Sequence, residues 1–599
     1  MWWNIAIICV WVGLAATIVA TIVSFTKKKT GITKPINVFF AGIVVSTFLG
    51  LLPTNYIAEG LSENKFIRVI ETISLSLANV MQVFTVDMDG KGLLETISKQ
   101  EMFYLQQPYI ITMSILCTVA PLLTVGVLAT VLMSLSARRR YISNFFKDAY
   151  IFSDLNERSI TLASDLKKNQ PNSIVVFTDV VEREEEVFLD LSNKAKAIGA
   201  ILFKEDILSQ RFDLHKKDKN ITFFIIGDDE TENITHSLTI IEKYKERENT
   251  RLYLFSSTRE SELALSKVTY GKIKVHRINE IKSLIYRTIY EKGDVLFRKA
   301  IETNHSSVKH INVIVLGMGD YGTEMIKALA WFCQMDGYKL SIHAFDKDKQ
   351  AESKFKALYP DLLSQDYNGT DNGESNYSIT IHSKMDIHTT EFKDYLATLK
   401  DEKCASFIFI SLGSDEENIK AATDMRMLWK RLGSDPTIQT VVRNTAVSKA
   451  LTNAVNYRGE EYNIDYIGDI QLEYSEGVII NSELEAKALE RHKKWGAEES
   501  FWAYEYNYNS SAAPIIHFKA RNNCGVYGSD KLINNPDITV LEPDEIKNLR
   551  CLEHRRWNAY MRSEGYVYGT KRNDIAKTHP SLKSFFDLDP AEQEKDEIV

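Results

Sequence analysis

The chain has few cysteines for its length, and they form no cluster. Six occur among 599 residues and none forms a CxxC pair, so neither a zinc knuckle nor a disulfide framework is indicated. A basic excess is also missing, and the net charge of −8 argues against nucleic acid as a partner. The sequence lacks HExxH, GxxxxGK[ST] and a GxSxG with a plausible triad, so we assign no catalytic residue and do not expect an enzyme.

Long uncharged runs are confined to the first 135 residues. Segments 5–25, 36–52 and 109–135 are long enough to cross a hydrocarbon core of about 30 Å. Basic clusters follow the first and the third of these segments: Lys27, Lys28, Lys29 and Lys34, and then Arg138, Arg139 and Arg140. Since basic residues stay in the cytoplasm, three crossings place the N-terminus outside. We therefore predict a multi-pass inner-membrane region at 1–140, with the C-terminal bulk cytoplasmic.

Residues 66–84 are apolar but interrupted by polar side chains. A surface helix, an ordinary loop and a re-entrant pore helix at about 66–86 all fit this pattern. The next string, TVDMDG, loosely resembles the TVGYGD filter of two-span potassium channels, but both filter glycines are missing, so carbonyl-based potassium selectivity is not supported. In the pore interpretation, Asp87 and Asp89 form an acidic ring in a homo-oligomer. Bending of the third segment is then easiest between Pro121 and Gly126.

Short β-branched segments alternate with helical ones after the basic cluster, and this series occurs twice. Predicted strands at 149–152, 173–178, 200–203, 221–226, 251–255 and 274–277 define a domain at 148–300. Those at 312–316, 340–345 and 406–411 define a second domain at 308–480. The alternation predicts two Rossmann-like, doubly wound parallel sheets. The strings GDDETENI and GSDEENI follow equivalent strands, which indicates an internal duplication.

The second domain carries GMGDYG after its first strand. In such a turn Gly317 permits the tight bend, Gly319 lets a phosphate approach the backbone and Gly322 lets helix and strand pack closely. The helix N-terminus favours phosphate, and Asp346 ends the next strand, where it is placed to bond a ribose 2′-OH. We predict NAD or another adenine nucleotide-derived ligand here; the alternative is that the glycines serve packing alone.

The first domain lacks these glycines. Asp179 ends its second strand. This aspartate either binds a ribose or only ends the strand, in a domain that binds no nucleotide.

The two domains resemble the tandem ligand-binding domains that regulate potassium channels and transporters, known as RCK or TrkA-N-like domains. The motifs that carry the resemblance are FSDLNERS and LGMGDYG, and it covers roughly residues 148–480. It implies a cytoplasmic ring that binds a nucleotide or an ion and pulls on the pore helices.

The C-terminal segment, 481–599, resembles the small ryanodine-receptor (RyR) repeat domain. The strings LEHRRWNA, GYVYG and KTHPSL carry this resemblance. It implies a mostly helical module that senses a nucleotide-derived signal, as in bacterial antiviral systems. Arginine binds phosphate and aromatic rings stack on bases, so we expect a ligand pocket formed by Arg555, Arg556, Arg562, Trp557, Tyr566 and Tyr568. The alternative places Trp557 in the core and the arginines on a solvated helix face.

Three functions remain open from the sequence. The first is a nucleotide-gated channel or membrane effector formed by a homo-oligomer. The second is a membrane-anchored regulatory subunit that acts on a separate transporter and has no pore of its own. The third is a membrane-tethered NAD-dependent enzyme.

Overall fold

The computed structural model describes residues 2–26, 33–58, 60–85, 105–266, 268–303, 306–363, 376–400 and 404–598. They divide into two compact units. The first consists of Met1–Leu155 and Asn172–Phe223, and the second of Asn156–Pro171 and Phe224–Val599. The predicted strands are found within a few residues of their expected positions.

Four long helices form the N-terminal region: α1 (Trp2–Thr26), α2 (Thr33–Tyr56), α3 (Lys65–Thr85) and α4 (Gln106–Ile142). Among the described residues, three stretches are long and apolar enough to cross a membrane: Asn4–Ile22, Val38–Tyr56 and Lys65–Thr85. The third of these is the segment for which the sequence left a surface or re-entrant helix open. On α3, Phe66 and Met81 are exposed while Thr72 and Ser76 are buried. This apolar exterior is what lipid contact requires.

The first and fourth helices run in the same direction. The backbone N–H of Leu105, just before α4, donates to Asn4 Oδ1 at 3.2 Å. Further along both helices, Trp11 Nε1 donates to Thr112 Oγ1 at 3.1 Å. The C-terminal ends of α1 and α4 therefore lie at the same end of the helix bundle. Each of these ends is where the sequence has a basic cluster, as the positive-inside argument assumed.

The third helix runs antiparallel to α2. Because α1 also runs antiparallel to α2, with Thr17 beside Gly42 and Val10 beside Gly50, α3 runs parallel to α1 and α4. It begins where Arg68 Nε donates to the Tyr56 carbonyl at 3.0 Å, and near its end Phe84 packs on Phe40, with ring centroids 5.3 Å apart. Consecutive helices that each cross a membrane run in opposite directions, whereas α3 and α4 run in the same direction. By length and composition α3 can cross a membrane, and the surface, re-entrant and loop alternatives from the sequence stay predictions.

Two parallel sheets follow, as the sequence predicted, and each has six strands, of which the sequence located only three in the second sheet. The first contains β1 (Ala149–Phe152), β2 (Ile174–Thr178), β3 (Ile201–Phe203), β4 (Ile221–Ile225), β5 (Thr250–Phe255) and β6 (Lys274–Ile278). The second contains β7 (Lys309–Leu316), β8 (Tyr338–Asp346), β9 (Tyr377–Ser383), β10 (Cys404–Ile410), β11 (Thr437–Val441) and β12 (Ile464–Ile467). Their orders are β3-β2-β1-β4-β5-β6 and β9-β8-β7-β10-β11-β12, the same doubly wound order in both.

Helices connect the strands of both sheets. Those of the first are α5 (Glu157–Asn169), α6 (Glu185–Ala197), α7 (Glu230–Tyr244) and α8 (Arg259–Ser266), and α9 (Glu280–Lys292) and α10 (Asp294–Thr303) lead to the second. Those of the second are α11 (Asp320–Phe332), α12 (Ala351–Leu358), α13 (Thr390–Thr398), α14 (Asp415–Arg431), α15 (Thr445–Leu451), α16 (Ile470–Glu473) and α17 (Glu476–Ile479). Strands β4, β7 and β10 are almost entirely buried, because helices cover both faces of such sheets.

A buried asparagine occupies the same place in both sheets. Asn233 accepts from the Gly227 N–H at 3.0 Å and donates to the Phe255 carbonyl at 3.3 Å. Asn418 accepts from the Leu412 N–H at 2.5 Å and donates to the Val441 carbonyl at 2.8 Å. Each side chain therefore fastens the turn after the fourth strand to the end of the fifth. This equivalence supports the duplication that the two matching strings indicated.

The C-terminal segment is mostly helical. Its helices are α18 (Glu483–His492), α19 (Glu498–Ala503), α20 (Glu505–Asn523), α21 (Pro543–Ser563) and α22 (Pro590–Gln593), with a two-stranded sheet of β13 (Val567–Tyr568) and β14 (Thr578–His579). Ala559 and Tyr560 of α21 belong to the same apolar core as Ala328 and Trp331 of α11. The segment therefore packs on the second sheet domain inside one compact unit.

Candidate functional site

A cavity of about 1490 Å³ lies within the second unit. Its wall comes from three parts of that unit. The glycine turn and strand end of the second sheet contribute Gly319 and Asp346, and the carboxyl edge of the first sheet contributes Asn279. The C-terminal segment contributes Trp557 and Tyr566. Two sites that the sequence treated as separate, the glycine turn and the aromatic pocket, therefore share one cavity.

The three glycines of the turn have different surroundings. Gly317 has φ +90°, and a Cβ there would lie 2.3 Å from the Ser411 carbonyl oxygen. A Cβ on Gly322 would lie 1.9 Å from the Gly317 oxygen. Gly319 precedes the first residue of α11 and has open space where its Cβ would be. The backbone of the turn therefore requires glycine at 317 and 322, because a side chain there would overlap backbone oxygens. Gly319 instead leaves room beside the helix N-terminus, where a phosphate is favoured.

The carboxylate of Asp346 holds the glycine turn in place. Its Oδ2 accepts from the Met318 N–H at 2.7 Å and its Oδ1 from the Asp348 N–H at 2.7 Å. Strand pairing brings these groups together, because Leu316 at the end of β7 pairs with Phe345 of β8. Asp346 also lines the cavity, and each carboxylate oxygen has a further lone pair for a ribose hydroxyl.

Aromatic rings also line the cavity. Trp557 lies between two histidine rings, with centroids 5.6 Å from His554 and 5.0 Å from His579. Tyr566 lies 6.4 Å from Tyr506. All five rings belong to the cavity wall, so it offers surfaces on which a base can stack.

The arginines that the sequence grouped with Trp557 separate in the structure. Arg555 pairs with Asp336 at 2.6 Å and Arg562 pairs with Asp361, so both fasten α21 to the second sheet domain and neither lines the cavity. Tyr568 is 54% exposed and does not line it either.

Arg556 does line the cavity. Its Nε and Nη2 donate to Glu553 at 2.9 Å each, while its buried Nη1 has no hydrogen-bond partner among the described residues.

A network of buried, charged side chains forms part of the cavity wall. Lys282 contacts Glu505 at 2.9 Å and Glu564 at 3.1 Å. Lys327 contacts Glu324 at 2.8 Å and Glu564 at 3.4 Å. Burial raises the pKa of Glu564, but the two ammonium groups outweigh it and hold that pKa below its usual range. The network joins α9, α11, α20 and the end of α21, so all three parts of the cavity wall are ionically connected.

The equivalent position in the first domain is filled by an arginine. Arg183 pairs with Asp154 at 2.6 Å and with Asp179 at 2.7 Å. Burial and the neighbouring Asp179 raise the pKa of Asp154 to about 7, although Arg183 opposes this. A ribose reaching Asp179 would have to displace Arg183. The geometry therefore favours the interpretation of the first domain as one without a nucleotide.

The residues of the pore interpretation are placed only in part. Asp87 and Asp89 lie outside the described residues. Gly126 lies in α4, which continues through both Pro121 and Gly126 from Gln106 to Ile142.

Sequence reasoning missed Arg259, Lys282 and Glu505 on the cavity wall. No local motif marks them, and they reach the cavity only through the packing of distant segments. Lys577 and His579 lie in the string KTHPSL, which the RyR resemblance singled out.

Comparison with known protein-family models finds no match, and comparison with curated proteins finds none either.

Substituting the glycines one at a time separates binding from folding. We expect Gly319→Ala to leave the thermal midpoint within about 2 °C of the unsubstituted chain while weakening nucleotide binding, since its Cβ enters only the space beside the helix N-terminus. Gly322→Ala should lower the midpoint clearly, because its Cβ overlaps the Gly317 oxygen. Thermal unfolding and calorimetric titration with AMP measure both effects. Equal destabilisation by the two substitutions would contradict this assignment of the turn.

The carboxyl pair of the first domain should make stability depend on pH. The pKa of Asp154 is raised in the folded state, so its stabilising effect is full at acidic pH and is lost as pH rises through about 7. The thermal midpoint should therefore fall as pH rises from about 4 to 7 and level off above that, and Asp154→Asn should flatten that fall. The control is Asp190→Asn, which removes an exposed partner of Lys194. An unchanged profile in Asp154→Asn would exclude this carboxyl as the cause.

Proposed function

We propose that this protein is a membrane-anchored sensor in which an adenine nucleotide-derived ligand controls an ion-conducting homo-oligomer. The observation that carries the proposal is the shared cavity: the glycine turn with Asp346 and the rings of Trp557 and Tyr566 line one space. A phosphate site and stacking surfaces in the same cavity are the two elements that nucleotide recognition needs. The resemblances to RCK-like and RyR-like domains support the same ligand class.

The end of α4 supports a mechanical role for the cytoplasmic part. Arg140 donates to the Gly199 carbonyl at 3.1 Å, and the Tyr141 hydroxyl bonds His215 Nδ1 at 3.2 Å. The Tyr141 ring also packs on Phe212, with centroids 5.4 Å apart. The last membrane helix is therefore fixed to the first half of the first sheet domain. Movement of that half would be delivered to the helix directly, which is what gating by a cytoplasmic ring requires.

Two other functions remain as alternatives. A regulatory subunit without a pore would bind the nucleotide and act on a separate transporter. An NAD-dependent enzyme would need the glycine turn for its cofactor, and the cavity is large enough for NAD with a substrate. A re-entrant α3 would favour the channel, because re-entrant backbone at membrane depth is tolerated where it lines a water-filled path.

Labelling of single cysteines tests the membrane arrangement. With the native cysteines replaced, we expect Ser62→Cys, between α2 and α3, to react with an impermeant reagent from outside. Asn172→Cys should react only after permeabilisation. Three crossings with the N-terminus outside give this result. Protection of Ser62→Cys from outside would mean that the arrangement is inverted or that α3 crosses.

Ion flux through liposomes separates the three functions. The purified protein should conduct cations when AMP or NAD⁺ is added on the cytoplasmic side, and Gly319→Asp should abolish the response because it places a negative charge beside the helix N-terminus. In the pore interpretation, neutralising Asp87 and Asp89 to Asn lowers cation preference and leaves nucleotide binding unchanged.

Three other outcomes would favour an alternative function or reject the proposal. Nucleotide binding without any flux would favour the regulatory subunit. Consumption of NAD⁺ by the unsubstituted protein, lost in Gly319→Asp, would favour the enzyme. Absence of nucleotide binding would reject the proposal itself.

A further inference from the structure

Four large apolar side chains are exposed near the end of α4, in the first compact unit. Each is between 40 and 49% exposed: Ile142, Phe145, Phe146 and Leu214. Basic side chains adjoin them in the two chain segments: Arg138, Arg139, Lys147, Lys216 and Lys217. We call these nine residues the α4 patch. A single exposed apolar residue is ordinary, but apolar side chains grouped with cations indicate an interaction surface.

The fold of the first sheet joins the two segments of the patch. Residues 138–147 precede β1 and residues 214–217 precede β4, and these strands are neighbours in the sheet. The backbone N–H of Lys216 donates to the Phe145 carbonyl at 3.1 Å. One small pocket is lined from both segments, by Arg138, Ile142 and Leu214. The segments therefore form one continuous surface, although about 70 residues separate them.

A buried histidine fixes the second segment against the first. His215 Nε2 lies 2.6 Å from the Lys147 carbonyl oxygen. A carbonyl oxygen can only accept a hydrogen bond, so Nε2 carries the hydrogen and donates it. The other ring nitrogen, Nδ1, then accepts from the Tyr141 hydroxyl at 3.2 Å. Lys216 and Lys217, which follow this histidine, are consequently held beside the end of α4.

Positive charge is concentrated on this surface. Residues 138–148 and 211–219 contain eight lysines and arginines but three aspartates, in a chain whose net charge is −8. Two of these aspartates have cationic neighbours: Asp218 pairs with Lys216 at 3.3 Å, and Asp213 pairs with Arg211 at 3.1 Å. The positive excess remains after both pairs are counted, so the surface complements an anionic partner.

The position of the patch along α4 identifies that partner. The uncharged part of the helix ends at Ala137, and the helix itself ends at Ile142. Five helical residues span about 8 Å, and the headgroup layer on each side of a bilayer is about 5–8 Å thick. In the proposed membrane arrangement the patch therefore lies at the depth of the headgroups. Cations there attract anionic lipids, and exposed aromatic rings insert at the boundary with the acyl chains.

We propose that the α4 patch binds anionic phospholipid headgroups of the membrane that α4 crosses, with Phe145 and Phe146 inserted between the lipids. This inference rests on the membrane arrangement of the proposed function and does not involve the nucleotide. Because Lys216 and His215 join the patch to the segment before β4, bound lipid holds this edge of the first sheet at the bilayer surface.

Lipid retention by the full-length protein tests the inference. The protein is reconstituted in vesicles of equimolar phosphatidylcholine and phosphatidylglycerol and extracted into mild detergent without nucleotide, and its retained lipids are counted by mass spectrometry. Phosphatidylglycerol should exceed phosphatidylcholine about fivefold or more, because each cation near the surface adds to the attraction. The triple variant Lys147→Gln/Lys216→Gln/Lys217→Gln should lower this ratio at least about twofold.

The aromatic pair should make the retention resistant to salt. Ionic contacts between exposed groups weaken in about 0.5 M KCl, whereas the burial of apolar rings among acyl chains does not. The unsubstituted protein should therefore keep about half or more of its enrichment in this salt. The double variant Phe145→Ser/Phe146→Ser should lose it.

Matched variants remove the same groups elsewhere. Lys349→Gln/Lys393→Gln/Lys449→Gln removes three exposed lysines of the second sheet domain, and Ile575→Ser/Phe586→Ser removes two exposed apolar side chains of the C-terminal segment. Neither should change the ratio of retained lipids. The triple variant Lys147→Arg/Lys216→Arg/Lys217→Arg keeps the charge and should keep the ratio.

Several results would overturn the inference. Equal retention of the two lipids by the unsubstituted protein would do so, as would equal ratios in the Lys→Gln patch variant and its matched control. Displacement of the lipid by glycerol 3-phosphate would indicate a site for a free anion. A lower subunit number of the patch variants in phosphatidylcholine alone would identify a second copy of the chain as the occupant. In all these cases nucleotide binding, and with it the proposed function, stays intact; loss of nucleotide binding with normal lipid retention would reject the proposed function alone.

Discussion

The second unit depends on the buried ion network around Glu564. Lys282, Lys327 and Glu505 are each at most 20% exposed, so the network gives up most of its hydration. Such a network is stable only when every charge is matched, and removing one member of a buried pair typically costs about 3–5 kcal/mol. Because its members come from both sheet domains and the C-terminal segment, these parts cannot separate without exposing an unmatched charge. The ion pairs therefore fix the three parts of the cavity wall to one another.

The two sheet domains share one fold but contain unequal sites. Both sheets have the same strand order and the same buried asparagine, which preserve the fold. The second domain keeps three glycines and an open helix N-terminus, whereas the first has Arg183 between two aspartates. In the first domain the carboxyl edge nevertheless contributes to the cavity through Arg259 and Asn279. The second domain thus has a glycine turn with open space at Gly319, whereas the first domain contributes only part of the cavity wall.

In the membrane region, the polar groups are turned inward. Asn55 donates to Ser76 at 2.9 Å and accepts from Asn79 at 2.9 Å, while the exterior of α3 is apolar. Buried side-chain amides hydrogen-bond to each other because the hydrocarbon core offers no hydrogen-bond partners. These bonds fix α3 against α2, and together with the contacts of Asn4 and Trp11 they determine the direction of every described helix in the region.

The sequence by itself determined most of the elements and the local pattern of the glycine turn. Apolar periodicity located β1–β8 and β10 and the apolar N-terminal segments, but it did not locate β9, β11 and β12. Gly317-x-Gly319-x-x-Gly322 with Asp346 is a local pattern whose geometry follows from backbone sterics. Only the tertiary structure decided which residues face one another. Arg555 and Trp557 are two positions apart on α21 and therefore point in different directions, one toward Asp336 and the other into the cavity. Arg259, Glu505 and Lys577 are separated from one another and from the glycine turn by tens to hundreds of residues, so no spacing rule could bring them to the same wall.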